Sequence, residues 1–384
     1  MKTFYFDNNA TTAVAPEVLE AMLPYLSDFY GNPSSMHSFG GRVGSAVEQA
    51  RAHVAALLGA EPEEIIFTSC GTESDSTAIH SALQTQPEKR RLITTRAEHP
   101  AVLNVAQYCE RQGYHVVYLG VDSKGRLDQD EYLRVLTDDT ALVSIMFANN
   151  EVGNIYPIQR MAEAARERGA LFHTDAVQAV GKTPIDLSHM PVDMLSLSGH
   201  KIHAPKGIGV LYARKGVRFR PFLRGGHQEH GRRAGTENVP YIVGLGAAAR
   251  FAVGHIQEER IAVARLRDKL EQGILERVPD CIVNGDVENR LPNTTNIAFK
   301  NVEGEAILLM LDRFGICASS GSACTSGSLE PSHVLRAMGV PFNYAHGSVR
   351  LSLSRYTTEE EVDHVIECLP GVIEALRAIS PYKD

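Results

Sequence analysis

Short apolar runs alternate with amphipathic stretches between residues 15 and 258, and this alternation restricts the chain to few folds. The runs have the length of buried strands, and they are EIIFTS, RLITT, HVVYLG, ALVSIMF, ALFHTD, MLSLS and GIGVLYA. Helical stretches lie between many of them, and two of these have a glycine, Gly59 or Gly169, where a helix would stop. The pattern predicts an α/β fold with helices on both sides of a mostly parallel sheet.

The order of elements changes after a long predicted helix near residues 240 to 278. A strand, a helix, a strand and a helix follow, around TTNIAF, EAILLMLDRFG, ICASS and PSHVLRAMG. This order predicts a smaller α+β domain. A chain of 384 residues exceeds the size of one typical core, so a large domain with a second, smaller one is expected.

The composition limits the kinds of partner. Charged residues make up 22% and the formal net charge is −8, which argues against nucleic acid as the main partner. No uninterrupted apolar run approaches the length of a membrane span, and the N-terminus MKTFYFDNNATT lacks the features of a signal peptide. We therefore expect a cytoplasmic protein without a membrane partner. The six cysteines form no CxxC pair, which disfavours a disulfide framework or a metal site.

Lys201 follows the apolar run MLSLS after Gly199 and His200, and it precedes a glycine-rich turn. A buried ammonium loses its hydration, so a lysine confined there suggests a chemical use. Such a lysine can lose its proton and form a Schiff base with pyridoxal 5'-phosphate, whose ring nitrogen pairs with an acid. Asp175 is a candidate for that acid. Taken alone, Lys201 also fits a surface lysine in a turn between strands.

Polar groups follow three other predicted strands, at the sheet edge where ligands of open parallel sheets collect. Gly71 and Thr72 follow EIIFTS at a helix start and could hold a phosphate. His99 follows RLITT and could stack on a ring and shuttle protons. Asp175 follows ALFHT, with Gln178 three residues later. Each fits a structural role alone, as a helix cap or a buried histidine, but together they supply the parts of a pyridoxal phosphate site.

Cys324 lies in ASSGSACTSGSLEP, residues 318 to 331, a segment rich in serine and glycine. We expect this segment to be exposed and mobile, because it offers no apolar residues to bury the cysteine. A partly solvated thiol near cations can ionise to the nucleophilic thiolate, which makes Cys324 a candidate for sulfur chemistry. The alternative is an incidental loop cysteine. Arg350, in the strand-like GSVRLSLSR, suits a substrate carboxylate or forms a surface ion pair.

Eight motifs together resemble one family from end to end, the cysteine desulfurases, which are pyridoxal-phosphate enzymes of the class V aminotransferase group. The motifs are DNNATT at 7–12, TSCGTES at 68–74, EHPAVLN at 98–104, ANNEVG at 148–153, HTDAVQ at 173–178, SGHKIHAPKGIG at 198–209, GRRAGTEN at 231–238 and SSGSACTSG at 319–327. The segment around Cys324 is similar to that of the group I enzymes. SGHKIHAPKG and RGGHQEHGRRAGTEN are closer to the NifS type than to the IscS type.

The resemblance implies fold type I of the pyridoxal-phosphate-dependent transferases. The large domain would span residues 13–258, and the small domain would span residues 1–12 and 259–384 and carry the cysteine loop. The family also implies a homodimer with two sites at its interface and L-cysteine as the substrate. The sulfur acceptor would be an iron–sulfur cluster scaffold protein of the NifU or IscU kind.

The resemblance also implies roles for the residues around the cofactor ring. Lys201 would form the Schiff base and remove the Cα proton of the substrate. His99 would stack on the ring and assist proton transfer. Asp175 would pair with the pyridine nitrogen, and Gln178 would contact the ring hydroxyl.

A second group of residues would hold the cofactor phosphate and the substrate. The phosphate ligands would be Gly71, Thr72, Ser198, His200 and, from the partner subunit, Thr236. The substrate carboxylate would bind Asn150 and Arg350. Cys324 would accept the sulfur of L-cysteine as a persulfide, L-alanine would leave, and the sulfur would supply iron–sulfur cluster assembly.

Two positions depart from the family pattern. Cys70 stands where relatives usually have glycine beside the phosphate turn, and Ser76 stands where asparagine is common. A cysteine could not adopt a positive φ at that turn without strain, so the loop geometry depends on the backbone there.

Other functions stay open. A selenocysteine lyase or another class V enzyme would share the pyridoxal phosphate residues and differ in its need for Cys324. A sulfur-relay scaffold with a vestigial site is disfavoured by the intact Lys201 and Asp175. His227 and His230 are three apart and could bind a metal, although a structural role is favoured.

Overall fold

A computed structural model describes residues 2–320 and 330–381. The strands are β1 Phe4–Tyr5, β2 Ile65–Thr68, β3 Arg91–Thr95, β4 His115–Leu119, β5 Thr140–Ser144, β6 Leu171–Asp175, β7 Met194–Ser198, β8 Gly209–Ala213, β9 Cys281–Val283, β10 Thr294–Phe299, β11 Ile316–Cys317 and β12 Ser348–Ser352. The α-helices are α1 Pro16–Ser27, α2 Ser38–Leu58, α3 Gly71–Thr85, α4 Pro100–Arg111, α5 Gln129–Val135, α6 Ile158–Glu167, α7 Val239–Arg277, α8 Gly304–Asp312, α9 His333–Ala337, α10 Phe342–Ala345 and α11 Glu359–Ile379.

Seven strands form the central sheet, in the order β2-β8-β7-β6-β5-β3-β4. The strands β3 to β7 pair in parallel, whereas β8 is antiparallel to both β2 and β7. Every residue of β5, β7 and β8 is buried, as expected for strands covered by helices on both faces. These seven strands lie in the seven apolar runs of the sequence, so the predicted α/β fold is confirmed.

The smaller sheets lie near the other end of the chain. β12, β10 and β9 form an antiparallel sheet, and β1 pairs in parallel with β11. The four elements predicted after the long helix are present as β10, α8, β11 and α9. Because β1 pairs with β11, the first residues of the chain pack with its C-terminal part.

Helix α7 is 39 residues long and passes through two hydrophobic cores. Its first half, up to Ala252, packs with α1, α2 and the central sheet, and its second half, from Val263, packs with α8, α11 and the antiparallel sheet. The predicted domain boundary after residue 258 lies between these halves, and the division into domains stays a prediction.

Among the described residues, α7 is also the one helix long and apolar enough to cross a membrane. Polar residues interrupt its sequence, so it contains no uninterrupted apolar run of that length. Its side chains contribute to both cores, and this is how the core helix of a globular protein behaves.

Gly246 allows α7 to approach α2 closely. A Cβ atom at this position would lie 2.6 Å from both the Cα and the Cβ of Ala50 in α2. Gly254, further along the same helix, is exposed, and a Cβ atom there would meet nothing within 4 Å. The two glycines therefore separate the effect of helix contact from that of helix propensity.

Gly246→Ala should lower the free energy of unfolding by about 1–3 kcal/mol, because the backbone of α2 must move to admit a methyl group. Gly254→Ala should raise it by about 1 kcal/mol, because alanine favours the helix and meets no neighbour. Denaturant unfolding of both variants beside the parent protein measures the two changes. A stabilised Gly246→Ala variant would contradict the close approach of α2 and α7.

Candidate active site

A cavity of about 320 Å³ lies at the carboxyl ends of the parallel strands, the edge at which such sheets bind ligands. The residues expected from the sequence that line it are Gly71, Thr72, His99, Asn150, Asp175, Gln178, Ser198, His200, Lys201 and Arg350. Thr236 instead lines a separate cavity of about 190 Å³. Cys324 lies outside the described residues.

Lys201 stands at the end of a 3-10 turn, Gly199–Lys201, that directly follows β7. Its Nζ donates to the carbonyl oxygen of Asn9 at 2.5 Å and to that of Ala10 at 2.7 Å. Both acceptors belong to the motif DNNATT, whose residues had no expected role in the site. The N-terminal segment therefore holds the amine at the cavity wall.

Asp175 is the last residue of β6 and is 6% exposed. Its Oδ1 accepts a hydrogen bond from the backbone N–H of Val177 at 2.9 Å. Burial raises the pKa of Asp175 to about 6, although this hydrogen bond and the charge of Lys201 oppose the rise. A buried carboxylate in this position fits a cationic ring N–H, which the pyridine ring of pyridoxal phosphate supplies.

His99 both caps helix α4 and lines the cavity. Its Nδ1 accepts a hydrogen bond from the backbone N–H of Ala101 at 3.1 Å, so Nε2 carries the proton of the neutral ring. Burial lowers the pKa of His99 to about 4, and the charges of Lys201 and His333 lower it further. His99 therefore caps a helix and also faces the cavity, so its structural role does not exclude a chemical one.

The start of helix α3 offers backbone N–H groups to an anion. Cys70 precedes it with φ −173°, an extended conformation that any residue adopts, so the cysteine causes no strain. A Cβ atom at Gly71 would lie 2.8 Å from Cγ2 of Val177, so glycine permits this close approach. Hydroxyl and imidazole groups line the same cavity, on Thr72, Ser198 and His200. Ser76, the other departure, is not among the cavity residues. These donors fit a phosphate.

Arg350 is a buried residue of β12, and hydrogen bonds to two different acceptors hold its guanidinium group in place. Its Nη2 pairs with Oδ1 of Asp7 at 2.8 Å, and its Nη1 donates to the carbonyl oxygen of Asn150 at 3.0 Å. Its Nε is buried and has no hydrogen-bond partner within residues 2–320 and 330–381. The ion pair of Arg350 with Asp7 is therefore not a surface pair. It leaves other N–H groups of Arg350 for a ligand carboxylate.

The beginning of the cysteine segment differs from the sequence-based expectation. Ser319 and Ser320 are 6% and 7% exposed and line the cavity, whereas an exposed segment was expected. Ser319 forms an antiparallel bridge with Arg350, and its hydroxyl donates to Oδ1 of Asp7 at 2.8 Å. Strand pairing buries these serines, and residue composition alone does not reveal it.

Three buried carboxyl groups near the site were missed by the sequence analysis. Burial raises the pKa of Glu98 to about 8, and burial with the nearby Asp175 raises that of Asp75. Glu151 accepts a hydrogen bond from the hydroxyl of Ser332, which precedes α9, and burial raises the pKa of Glu151 as well. All three belong to motifs of the family resemblance or directly follow one, and that position was the available signal.

The segment GGHQEHGRR is organised by an acid between its two histidines. Glu229 and His230 have φ values of 49° and 56°, a left-handed conformation that is rare for side chains of this size. The Glu229 carboxylate is buried and pairs with both terminal nitrogens of Arg51 at 2.7 and 2.9 Å. His227 and His230 are exposed, and the described ranges contain no cluster of three metal-binding side chains.

Comparisons with known proteins agree with this geometry. A model of the class-V aminotransferase family, whose enzymes depend on pyridoxal 5'-phosphate, matches residues 4–365. The cysteine desulfurase of Nostoc sp. is 64% identical over 384 residues, which cover 100% of this chain and 96% of that protein. The cysteine desulfurase NifS of Azotobacter vinelandii is 62% identical over 383 residues, covering 100% and 95%.

Solved structures show the same relationship. A NifS-like protein has a TM-score of 0.92 and 41% identity, covering 98% of this chain and 100% of its own. SspA in complex with cysteine has a TM-score of 0.83 and 38% identity, covering 93% and 100%. By its matching family model and these relatives, the chain belongs to the class-V aminotransferase family and, within it, to the cysteine desulfurases.

Proposed function

We propose that this protein converts L-cysteine to L-alanine with pyridoxal 5'-phosphate and transfers the sulfur to Cys324. One observation carries the proposal: the cavity brings together the amine of Lys201, the carboxyl of Asp175, the neutral imidazole of His99 and the guanidinium of Arg350. The activities named for the relatives, and the cysteine bound in a solved neighbour, support it.

The residues of the cavity fit the cofactor. Lys201 would hold its aldehyde carbon covalently, Asp175 its ring nitrogen and Gln178 its ring oxygen. The phosphate would be held by Gly71, Thr72, Ser198, His200 and Thr236 of the partner subunit. When bound, pyridoxal phosphate would draw electrons from the α-carbon of the substrate, which would acidify the Cα proton and weaken the neighbouring Cβ–S bond.

Arg350 would bind the carboxylate of L-cysteine. Asp7 and the carbonyl oxygen of Asn150 fix the plane of its guanidinium group, so the remaining N–H groups point in set directions. Asn150 lines the cavity and would contact the same carboxylate through its side chain. A fixed guanidinium loses little entropy when it binds, which favours a planar carboxylate over other groups.

Lys201 and His99 would move the protons. The amine of Lys201, at the cavity wall, would take the Cα proton of the substrate. The neutral ring of His99 has its Nδ1 engaged by Ala101 and therefore offers only the proton on Nε2. The amine of Lys201 would act as the base, and His99 would assist the proton transfer through a hydrogen bond from its Nε2–H.

Cys324 would accept the sulfur. Its thiolate would attack the substrate sulfur, forming an S–S bond as the C–S bond breaks, and the electron pair left on carbon would be protonated to give L-alanine. L-cysteine and the thiol thereby become L-alanine and a persulfide without an external oxidant. The persulfide would then pass to a protein acceptor, which we propose is a scaffold of the NifU or IscU kind for iron–sulfur cluster assembly in the cytoplasm.

We further propose a homodimer with shared sites. Thr236 does not line the cavity that holds Lys201 in the same chain, although both belong to the expected phosphate site. A phosphate ligand supplied by the partner subunit accounts for this separation.

Cys324→Ala should abolish sulfide release from L-cysteine in the presence of a reductant, because no thiolate can take the sulfur. The parent protein should release sulfide and alanine in equal amounts. Cys368→Ala is the matched control, since Cys368 lies in α11 and is not among the cavity residues, and it should keep full activity. Full activity of Cys324→Ala would contradict the proposal and direct the next assay to selenocysteine.

The ring of His99 should stay neutral from pH 8 down to pH 5, because a lowered pKa keeps the neutral form above about 4. A histidine in an unfolded peptide gains its proton near about 6.5. NMR of the protein with labelled histidine, with the signal assigned through His99→Gln, follows the ring directly. A midpoint between pH 6 and 7 would contradict the lowered pKa and the neutral ring of His99.

Mixing two weakened variants should restore one complete site per dimer. Lys201→Ala lacks the Schiff-base amine and Thr236→Ala lacks a phosphate ligand. A mixed dimer would combine the intact Lys201 of one subunit with the intact Thr236 of the other. Refolding the two variants together should therefore give more cofactor binding and activity than either alone, whereas no gain would show that the site lies within one chain.

A further inference from the structure

Gln178 is held by a hydrogen bond on each side of its amide. Its Nε2 donates to the carbonyl oxygen of Asn9 at 2.9 Å, and its Oε1 accepts from Nζ of Lys182 at 2.7 Å. The carbonyl of Asn9 can only accept, and Lys182 presents N–H groups to Oε1. Turning the amide over would place oxygen against oxygen and N–H against N–H, so its orientation is fixed.

Lys182 is an unusual neighbour for a cofactor site. The hydrogen bond that the structure gives its Nζ goes to a neutral amide, while the charged groups that act on it, Lys201 and Arg350, are both positive. Burial of the amine, together with these two charges, lowers its pKa well below the usual value. Placing a lysine amine there costs free energy, and the proposed mechanism does not use it.

The bond to Lys182 determines what Gln178 can offer a ligand. Its oxygen faces Lys182, and one of its two amide hydrogens faces Asn9. The second hydrogen on Nε2 remains, and Gln178 lines the cavity. The side chain is therefore prepared to donate, and the ligand atom opposite it must accept.

We propose that Lys182 is a positioning residue that keeps the Gln178 amide turned so that its N–H donates to the ring oxygen of pyridoxal phosphate. This inference rests on the proposed function, in which Gln178 contacts that oxygen. A donated hydrogen bond stabilises the deprotonated oxygen, so Lys182 would help to set the protonation of the cofactor without touching it.

Lys182→Met should change the absorption spectrum of the bound cofactor. Without its partner, Oε1 of Gln178 is a buried acceptor left unpaired, and the amide is no longer held from that side. Losing a donor to an anion raises the pKa of the ring hydroxyl. The midpoint of the visible band in a pH titration should therefore rise by about one to two pH units, from the usual strength of a hydrogen bond to a charged group.

Two matched variants separate this effect from a general loss of positive charge. Lys182→Arg keeps a donor for Oε1 and should restore most of the parent titration. Lys206→Met removes an exposed lysine whose charge acts on His200, and it leaves the bonds of Gln178 intact. It should titrate like the parent. Lys182→Leu, which also lacks a donor, tests the same loss if the methionine variant does not fold.

The decisive comparison uses Gln178→Ala. If Lys182 acts through Gln178, Lys182→Met should cause no further shift in the Gln178→Ala background. An unchanged midpoint in Lys182→Met, or an equal shift with and without Gln178, would overturn the inference. A parent protein that gains no visible band with pyridoxal phosphate would overturn the proposed function instead, so the two failures are distinguishable.

Discussion

The backbone carbonyl of Asn9 accepts hydrogen bonds from both Lys201 and Gln178, and the geometry of the active site depends on its position. The side chain of Asn9 extends this link: its Nδ2 donates to Thr294 in β10 and to the carbonyl of Asn150. The N-terminal segment thereby connects the central sheet with the antiparallel sheet. The site is formed between two hydrophobic cores, and neither core alone supplies all of its groups.

Burial controls the charge of the groups around the cavity. Burial disfavours charge on any side chain, so carboxyl pKa values rise, as in Glu98, and imidazole pKa values fall, as in His99 and His200. A neutral ring can stack on a cofactor and donate a hydrogen bond without repelling a nearby cation. Arg350 pairs with Asp7 and still has N–H groups for a carboxylate.

The fold was largely predictable because the strands of the central sheet coincide with short apolar runs. MLSLS and ALVSIMF have the length and composition of strands covered by helices, and the strands found there, β7 and β5, are buried along their whole length. The grouping of the candidate site residues was predictable for a related reason: parallel strands end at one edge, so Asp175 and Lys201 were expected to lie near each other. The exposure of Ser319 was predicted wrongly from composition, because backbone pairing with Arg350 buries this serine.

Local sequence by itself determined the strands, the helix ends and the side chains with chemical uses, because apolar periodicity, glycine position and residue type act over a few neighbours. Tertiary structure alone decided which partners those side chains have. Asp7 and Arg350 are separated by most of the chain, and so are Asn9 and Thr294, yet each pair is in hydrogen-bond contact. Such contacts depend on how the two cores pack against each other, and no local pattern encodes the distance between groups so far apart in sequence.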